Sequence, residues 1–275
     1  MNTNQAELQT LDSVAKGLEG VVNRIGKSPE VTNAQQSAIK ATNPDYSYLL
    51  LENRFRGKEA DIAKRQKLYA DIFKGSPGTV LDVGAGRGEL VKILNDSGIS
   101  SYGVDLDQGM LEAAAEKKID VRLGDGLSHL RSLDSNSLGG VVALQVVEHL
   151  TRAQLEELFV LCSDKVAKGG KVVFETINPQ SVLALSSNYF RDPTHIWPLH
   201  PDTLEHGMSL AGLKVIEVKY LSAVPKEAQL QEISIDTTVT PKWGELVKGL
   251  NRNIKQLNQL LYGYQDYCIV AEVGE

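Results

Sequence analysis

The chain has 275 residues, 42% hydrophobic and 23% charged, the balance of a folded globular protein rather than a disordered one. Its 29 basic and 35 acidic residues leave a net charge of −6, which excludes broad nonspecific binding to nucleic acid through a basic surface. Two distant cysteines, Cys162 and Cys268, exclude a disulfide scaffold and a structural zinc cluster, and no signal peptide or transmembrane run of about 20 residues is apparent, so a reduced cytoplasmic protein is expected.

In chain order, Leu8, Leu11, Ala15, Leu18, Val22 and Ile25 alternate at spacings of three and four, an a/d-like seam. The seam reads either as a helix packing on its own domain or as a short coiled coil joining subunits or an assembly partner. Residues 1–44 are taken as this helix and a polar linker, and 45–77 as a helical cap that Gly75-Ser76-Pro77-Gly78 terminates. Strand and helix signals alternate from there. Strands are expected at Thr79–Val83, Ser100–Val104, Asp120–Leu123, Val141–Val147, Lys171–Thr176, Leu213–Val218 and Tyr267–Val273. Helices are expected at Gly88–Ser97, Gln108–Lys117, Thr151–Ala167, Pro201–Ala211 and Trp243–Tyr262, the last inside an insertion at about 225–263. Such alternation implies a parallel sheet covered on both faces over residues 78–275.

Val80-Leu81-Asp82-Val83-Gly84-Ala85-Gly86-Arg87-Gly88 is a strand entering a glycine turn and then a helix. Glycine lets the backbone turn tightly and approach a ligand. Gly103-Val104-Asp105 ends the next strand in an acid suited to two ribose hydroxyls, with Leu106 following it. Gly124-Asp125-Gly126 places a carboxylate where it could accept from an adenine amino group. All three lie at carboxyl ends of neighbouring strands, where open α/β sheets bind ligands. A nucleotide-like core without cofactor, or an NAD site, would share some of these features; the G-x-G-x-G spacing and Asp125 favour a methyl donor.

Together these motifs resemble the class I S-adenosylmethionine-dependent methyltransferases, over roughly Gly78 to Val273. The resemblance implies a Rossmann-like fold: a seven-stranded, mostly parallel sheet with an antiparallel last strand, preceded by an N-terminal helical extension. It implies S-adenosylmethionine as cofactor, with Asp82, Gly84, Ala85, Gly86, Asp105 and Leu106 near it, and Asp125 and Gly126 at the adenine. Gln145, after the fourth strand, is a further cofactor contact. A narrower resemblance is to bacterial O-antigen and polysaccharide methyltransferases, including the methyltransferase part of chain terminators. It rests on Glu52-Asn53-Arg54-Phe55-Arg56-Gly57 with Arg65-Gln66, on Val147-Glu148-His149-Leu150 and on Glu175-Thr176-Ile177-Asn178-Pro179. Tyr189-Phe190-Arg191-Asp192-Pro193-Thr194-His195 and the stretch from Leu257 to Tyr267 add to it. This likeness implies methylation of a glycan or glycolipid hydroxyl, which on a terminal sugar would end chain growth; with the sequence ending at Glu275, a terminator's kinase domain is not expected.

For a sugar hydroxyl a general base must take the proton as the new bond forms. His195 is the first candidate, with Asp192 orienting its second nitrogen; the alternative is a turn motif holding a lid. Glu148 and His149 follow strand four as pocket walls or a second base. Ubiquinone-pathway O-methyltransferases have a similar strand end with an extra acid supporting a divalent ion. Here that position is Gln145, and two ligands are thin for Mg²⁺, so no metal is assigned. Arg56 or Arg65 could pair with the methionine carboxylate, and Tyr189, Phe190 and Trp197 suit sugar stacking. A small-molecule O-methyltransferase, or a scaffold keeping the nucleotide fold, are the rival functions.

Overall fold

The computed structural model describes residues 59–234 and 243–274. The N-terminal seam, the linker and Arg56 lie outside the described residues. Helix α1 (Glu59–Ile72) contains Arg65, whose side chain is also outside them. Strands β1 (Val80–Val83), β2 (Ser101–Asp105), β3 (Val121–Leu123), β4 (Leu138–Leu144), β5 (Val166–Ile177), β6 (Leu213–Leu221) and β7 (Asp266–Val273) form one sheet in the order β3-β2-β1-β4-β5-β7-β6. β1 to β5 run parallel, and β7 lies antiparallel between β5 and β6. The expected seven-stranded, Rossmann-like architecture is therefore the one observed.

Successive strands are added on one side of β1 up to β3 and on its other side from β4 onward, with β1 to β5 all still parallel. In an open α/β sheet this switch point leaves a crevice at the carboxyl ends of the strands. The central strands are buried along their length because helices cover both faces, which is why Val80-Leu81-Asp82-Val83 and Leu138–Ala143 carry almost no exposed side chain. On one face Leu81, Val104, Val141, Val172 and Phe174 pack with Leu158 and Phe159 of α5 (Arg152–Lys165). On the other, Val80, Val142, Val173 and Val270 meet Tyr69 and Phe73 at the end of α1 and Leu90 and Leu94 of α2 (Glu89–Asp96). Phe174 is fully buried with its ring 5.8 Å from that of Phe159. Phe174→Ala is expected to cost about 3–5 kcal/mol, read as a lower midpoint in chemical denaturation.

Several boundaries differ from the sequence reading. β4 begins at Leu138, ahead of the expected Val141, and β5 begins at Val166 because Leu138 pairs with Val166 ahead of a register shift. Val147 leaves the strand in a 3₁₀ turn, Val147–His149. A helix, α4 (Gly126–Ser132), follows β3 where the sequence reading assigns no element; α3 (Gln108–Glu116) precedes it. α6 (Pro201–Leu210) and α7 (Gly244–Leu261) are as expected. On α7 only Val247 is buried, while Leu246, Leu250 and Leu257 face solvent. Among the described residues no helix is long and apolar enough to cross a membrane.

Candidate active site

The glycine turn after β1 has φ of 72° at Gly84 and 55° at Gly86, values that L side chains rarely adopt. At Gly84 a Cβ would also lie 2.5 Å from the Val146 side chain, so the turn is pressed against the segment that leaves β4. Asp105 locks this turn to β2: its carboxylate accepts from the Gly86 N–H at 2.7 Å and from the Asp107 N–H at 2.8 Å. One bond per oxygen leaves each oxygen a lone pair for a vicinal diol. Leu106, just past β2, and Leu123, at the end of β3, are 71% and 60% exposed. Two large apolar side chains at the ends of adjacent strands suit the faces of a planar base, so these residues fit a nucleoside with its ribose on Asp105.

Other expected cofactor contacts have structural work as well. Asp82 is buried within β1, and Ala85 is buried beneath the turn. The Asp125 carboxylate caps α4, accepting from the Ser128 N–H at 2.8 Å, so one of its oxygens is occupied by the helix it starts. Gly126 packs directly on Val83, 2.5 Å being the approach of a Cβ there. Gln145 has φ of 56°, a conformation uncommon for a side-chain-bearing residue. Its N–H donates to the Glu175 carbonyl, and its side-chain amide to the Glu175 carboxylate at 3.2 Å and the Asp266 carboxylate at 3.4 Å. The side chain expected to meet the cofactor thus bridges the ends of β5 and β7. Tyr69 also donates its hydroxyl to the Glu175 carboxylate. Of the histidines given no role, His129 meets the Tyr102 hydroxyl at 2.9 Å and His200 caps α6.

The acceptor-side candidates converge. The loop after β5 is fastened to the turn after β4 by the Ile196 N–H on the Glu148 carbonyl at 2.9 Å and by the Trp197 indole N–H on the Leu150 carbonyl at 3.3 Å. That pairing brings the rings of His149 and His195 to 4.7 Å. One ligand atom from each of Glu148, His149 and His195 lies within 4.8 Å of the others. His149 and His195, 46 positions apart in the sequence, therefore meet at one point, and the pair of ligands seen in the sequence becomes three.

Hydrogen-bond polarity fixes both imidazoles. His195 Nδ1 lies 2.7 Å from the Tyr189 carbonyl, which can only accept, so Nδ1 carries the proton. The Thr194 hydroxyl donates to the Asp192 carboxylate at 2.6 Å and so must accept from His149 Nδ1, 2.9 Å away. On both rings Nε2 then carries the lone pair in the neutral form. Asp192 does not orient His195, as the sequence suggested. It orients His149 through Thr194, and the Tyr189 carbonyl orients His195. Thr194 was missed, although its place between Asp192 and His195 in an Asp-x-Thr turn is a visible signal. Burial holds His149 below the usual histidine range, helped by the neighbouring His195, so the ring is neutral near pH 7.

Glu148 lies beneath this pair at 0% exposure, and neither carboxylate oxygen has a hydrogen-bond partner of good geometry. Burial pushes its carboxyl up to about 8, while its own backbone and Thr176 favour the charged form. Beside the histidines, the Tyr189 ring lies 4.7 Å from that of His195 and edge-on to Phe190 at 5.4 Å. Phe190 itself is 69% exposed.

Comparison with known proteins agrees with this geometry. A family profile described as a methyltransferase domain matches residues 52–218. The crystal structure of a SAM-dependent methyltransferase from Archaeoglobus fulgidus superposes with a TM-score of 0.75 at 36% identity, over 82% of this chain and 99% of that one. Among curated proteins, an uncharacterized methyltransferase of Anoxybacillus flavithermus is 29% identical over 136 residues, 46% of this chain and 64% of the relative. The human mitochondrial ubiquinone biosynthesis O-methyltransferase is 29% identical over 175 residues, 55% of this chain and 47% of the relative. The matches span about half to two-thirds of these curated relatives' length. The fold, the glycine turn tied to Asp105 and these likenesses lead to one conclusion: the chain belongs to the class I S-adenosylmethionine-dependent methyltransferases.

Proposed function

We propose that the chain O-methylates a saccharide hydroxyl of a polysaccharide, O-antigen or glycolipid precursor on the cytoplasmic side, and that a methyl on a terminal hydroxyl ends chain growth. The observation that carries this reading is the exposed Phe190 ring leading through Tyr189 to the His195–His149 pair. An aromatic face packs on sugar C–H groups, and an adjacent basic nitrogen is what a weakly acidic hydroxyl needs. S-adenosylmethionine, when bound, supplies an electrophilic methyl group. Nε2 of His195 takes the hydroxyl proton as the oxygen–carbon bond forms and the carbon–sulfur bond breaks. The Tyr189 carbonyl holds the tautomer that leaves Nε2 basic.

The test is methyl transfer from labelled S-adenosylmethionine to lipid-linked or soluble glycans, with a catechol-type quinone precursor in parallel. The saccharide is the expected acceptor. His195→Ala should lower kcat by about 10²–10⁴-fold with cofactor affinity unchanged, and Phe190→Ala should chiefly raise the acceptor KM. Transfer to the catechol alone overturns the saccharide reading in favour of a small-molecule enzyme, to which the likeness with the ubiquinone O-methyltransferase would then belong.

A further inference from the structure

Glu148 is a fully buried carboxyl with little to satisfy it. A carboxylate at 0% exposure with two oxygens lacking partners of good geometry is expensive unless a cation meets it. Beside it stand two imidazoles, each turned by an outer partner so that Nδ1 donates away and Nε2 keeps its lone pair. We propose that Glu148, His149 and His195 form a binding site for one divalent transition-metal cation of the zinc type.

Three arguments point to the ion. The ligand set, one carboxylate and two imidazoles with room for water or substrate, is suited to zinc and its neighbours and poorly suited to Mg²⁺, which prefers oxygen and a nearly full octahedron. Ligand atoms already lie within 4.8 Å of one another. Around a tetrahedral ion with bonds of about 2.0 Å they would sit about 3.3 Å apart, so rotations moving side-chain ends by about an ångström close the site. The outer partners are also of the kind that orient metal-bound histidines: the Tyr189 carbonyl on His195, and the Asp192 carboxylate acting through the Thr194 hydroxyl on His149.

The site assigns a second role to the β5 loop. His195 comes from that loop, whereas Glu148 and His149 come from the turn after β4, so the ion would pin the two together. It would also change the chemistry of the proposed reaction. With Nε2 of His195 on the ion, the ion would lower the pKa of the acceptor hydroxyl, whose proton would pass to solvent as the oxygen–carbon bond forms and the carbon–sulfur bond breaks. The inference uses the proposed acceptor reaction only for this catalytic role; binding of the ion stands apart from it.

The full-length protein, stripped with a chelator, is to be titrated with Zn²⁺ by calorimetry and with Co²⁺ by visible absorption. One ion per chain is expected, with cobalt d–d bands of the intensity of a four- or five-coordinate site and no competition from Mg²⁺. His195→Ala and Glu148→Gln should each weaken binding by more than about 100-fold, and Thr194→Val by about 10-fold, since loss of an outer partner costs about 10–100-fold. S-adenosylmethionine binding by each variant reports that it is folded. Absence of heat and of bands in the wild type, or unchanged affinity in folded His195→Ala, overturns the site. If the ion binds but no glycan is methylated, the acceptor reading fails and the metal site stands. If chelated protein turns over as fast as zinc-loaded protein, His195 is the base and the ion has no catalytic part.

Discussion

Asp105→Ala is expected to weaken S-adenosylmethionine binding by about 100-fold or more in isothermal titration. Two effects act together. The carboxylate is the tie between β2 and the glycine turn, accepting from Gly86 and Asp107 at 2.7 and 2.8 Å. Its remaining lone pairs are the acceptors for a ribose diol, and hydrogen bonds to a charged group are worth about 1.5–3 kcal/mol each. Losing both to ribose alone gives the stated factor, since about 1.4 kcal/mol is tenfold. Asp105→Asn separates the two effects. It retains one acceptor oxygen, which can serve the Gly86 N–H or the ribose but not both sets of bonds, so its affinity should fall between those of the wild type and Asp105→Ala. Wild-type affinity in Asp105→Ala, with the fold intact by circular dichroism, would remove Asp105 from the nucleoside site and with it the reading of Leu106 and Leu123 as base-stacking faces.

The parts of the structure legible in the sequence are those set by local pattern. Short runs between turn and helix signals mark β1, β2 and β7 to within one or two residues, and the order of motifs fixes the sheet edge that carries them. Less legible were features set by contacts across the fold. Leu138-Gly139-Gly140 lies ahead of the expected strand Val141–Val147, yet it is strand, and a Cβ at Gly139 would meet the Gly78 backbone at 2.2 Å and one at Gly140 the Phe73 ring at 2.6 Å. Glycine serves here for close packing of the chain on the sheet rather than for turning. α4 escaped because it is seven residues long with only Leu127 and Leu130 buried, too short for a helical period to show.

The active site divides in the same way. Glu148, His149, Asp192 and His195 were all chosen from sequence, because strand ends and the loops after them are where chemistry is carried in this topology. Their pairing was not legible. Which carboxylate serves which imidazole depends on the direction in which the Thr194 hydroxyl donates, and on a backbone carbonyl, that of Tyr189, which has no sequence signature. The protein partners of Gln145 are hidden for a related reason. Its left-handed backbone swings the side chain toward Glu175 and Asp266, residues 30 and 121 positions away.

Glu148 should leave the clearest mark on the stability of the metal-free protein. Its folded-state carboxyl is pushed from 4.5 to about 8, chiefly by burial. Between those values the folded protein keeps the proton and the unfolded chain has released it. Raising the pH therefore favours unfolding, and this group's contribution is complete below about pH 4.5 and exhausted above about pH 8. At about 1.4 kcal/mol per pH unit the loss is on the order of 4–5 kcal/mol, an upper bound because local opening would admit water to the charge. Glu148→Gln keeps the shape and cannot ionise, so it should lack this slope and be several kcal/mol more stable than the wild type above pH 8. Denaturation midpoints of both proteins from pH 5 to 9, with chelator present, give the comparison. Subtracting the variant removes the contributions of other titrating groups, since every other carboxyl and imidazole is common to both. Parallel curves would mean that Glu148 reaches solvent or a donor in solution. A gap that widens with pH would mean that the protein holds a buried carboxyl in reserve beneath its two histidines, at a standing cost in stability that a fold-only role does not explain.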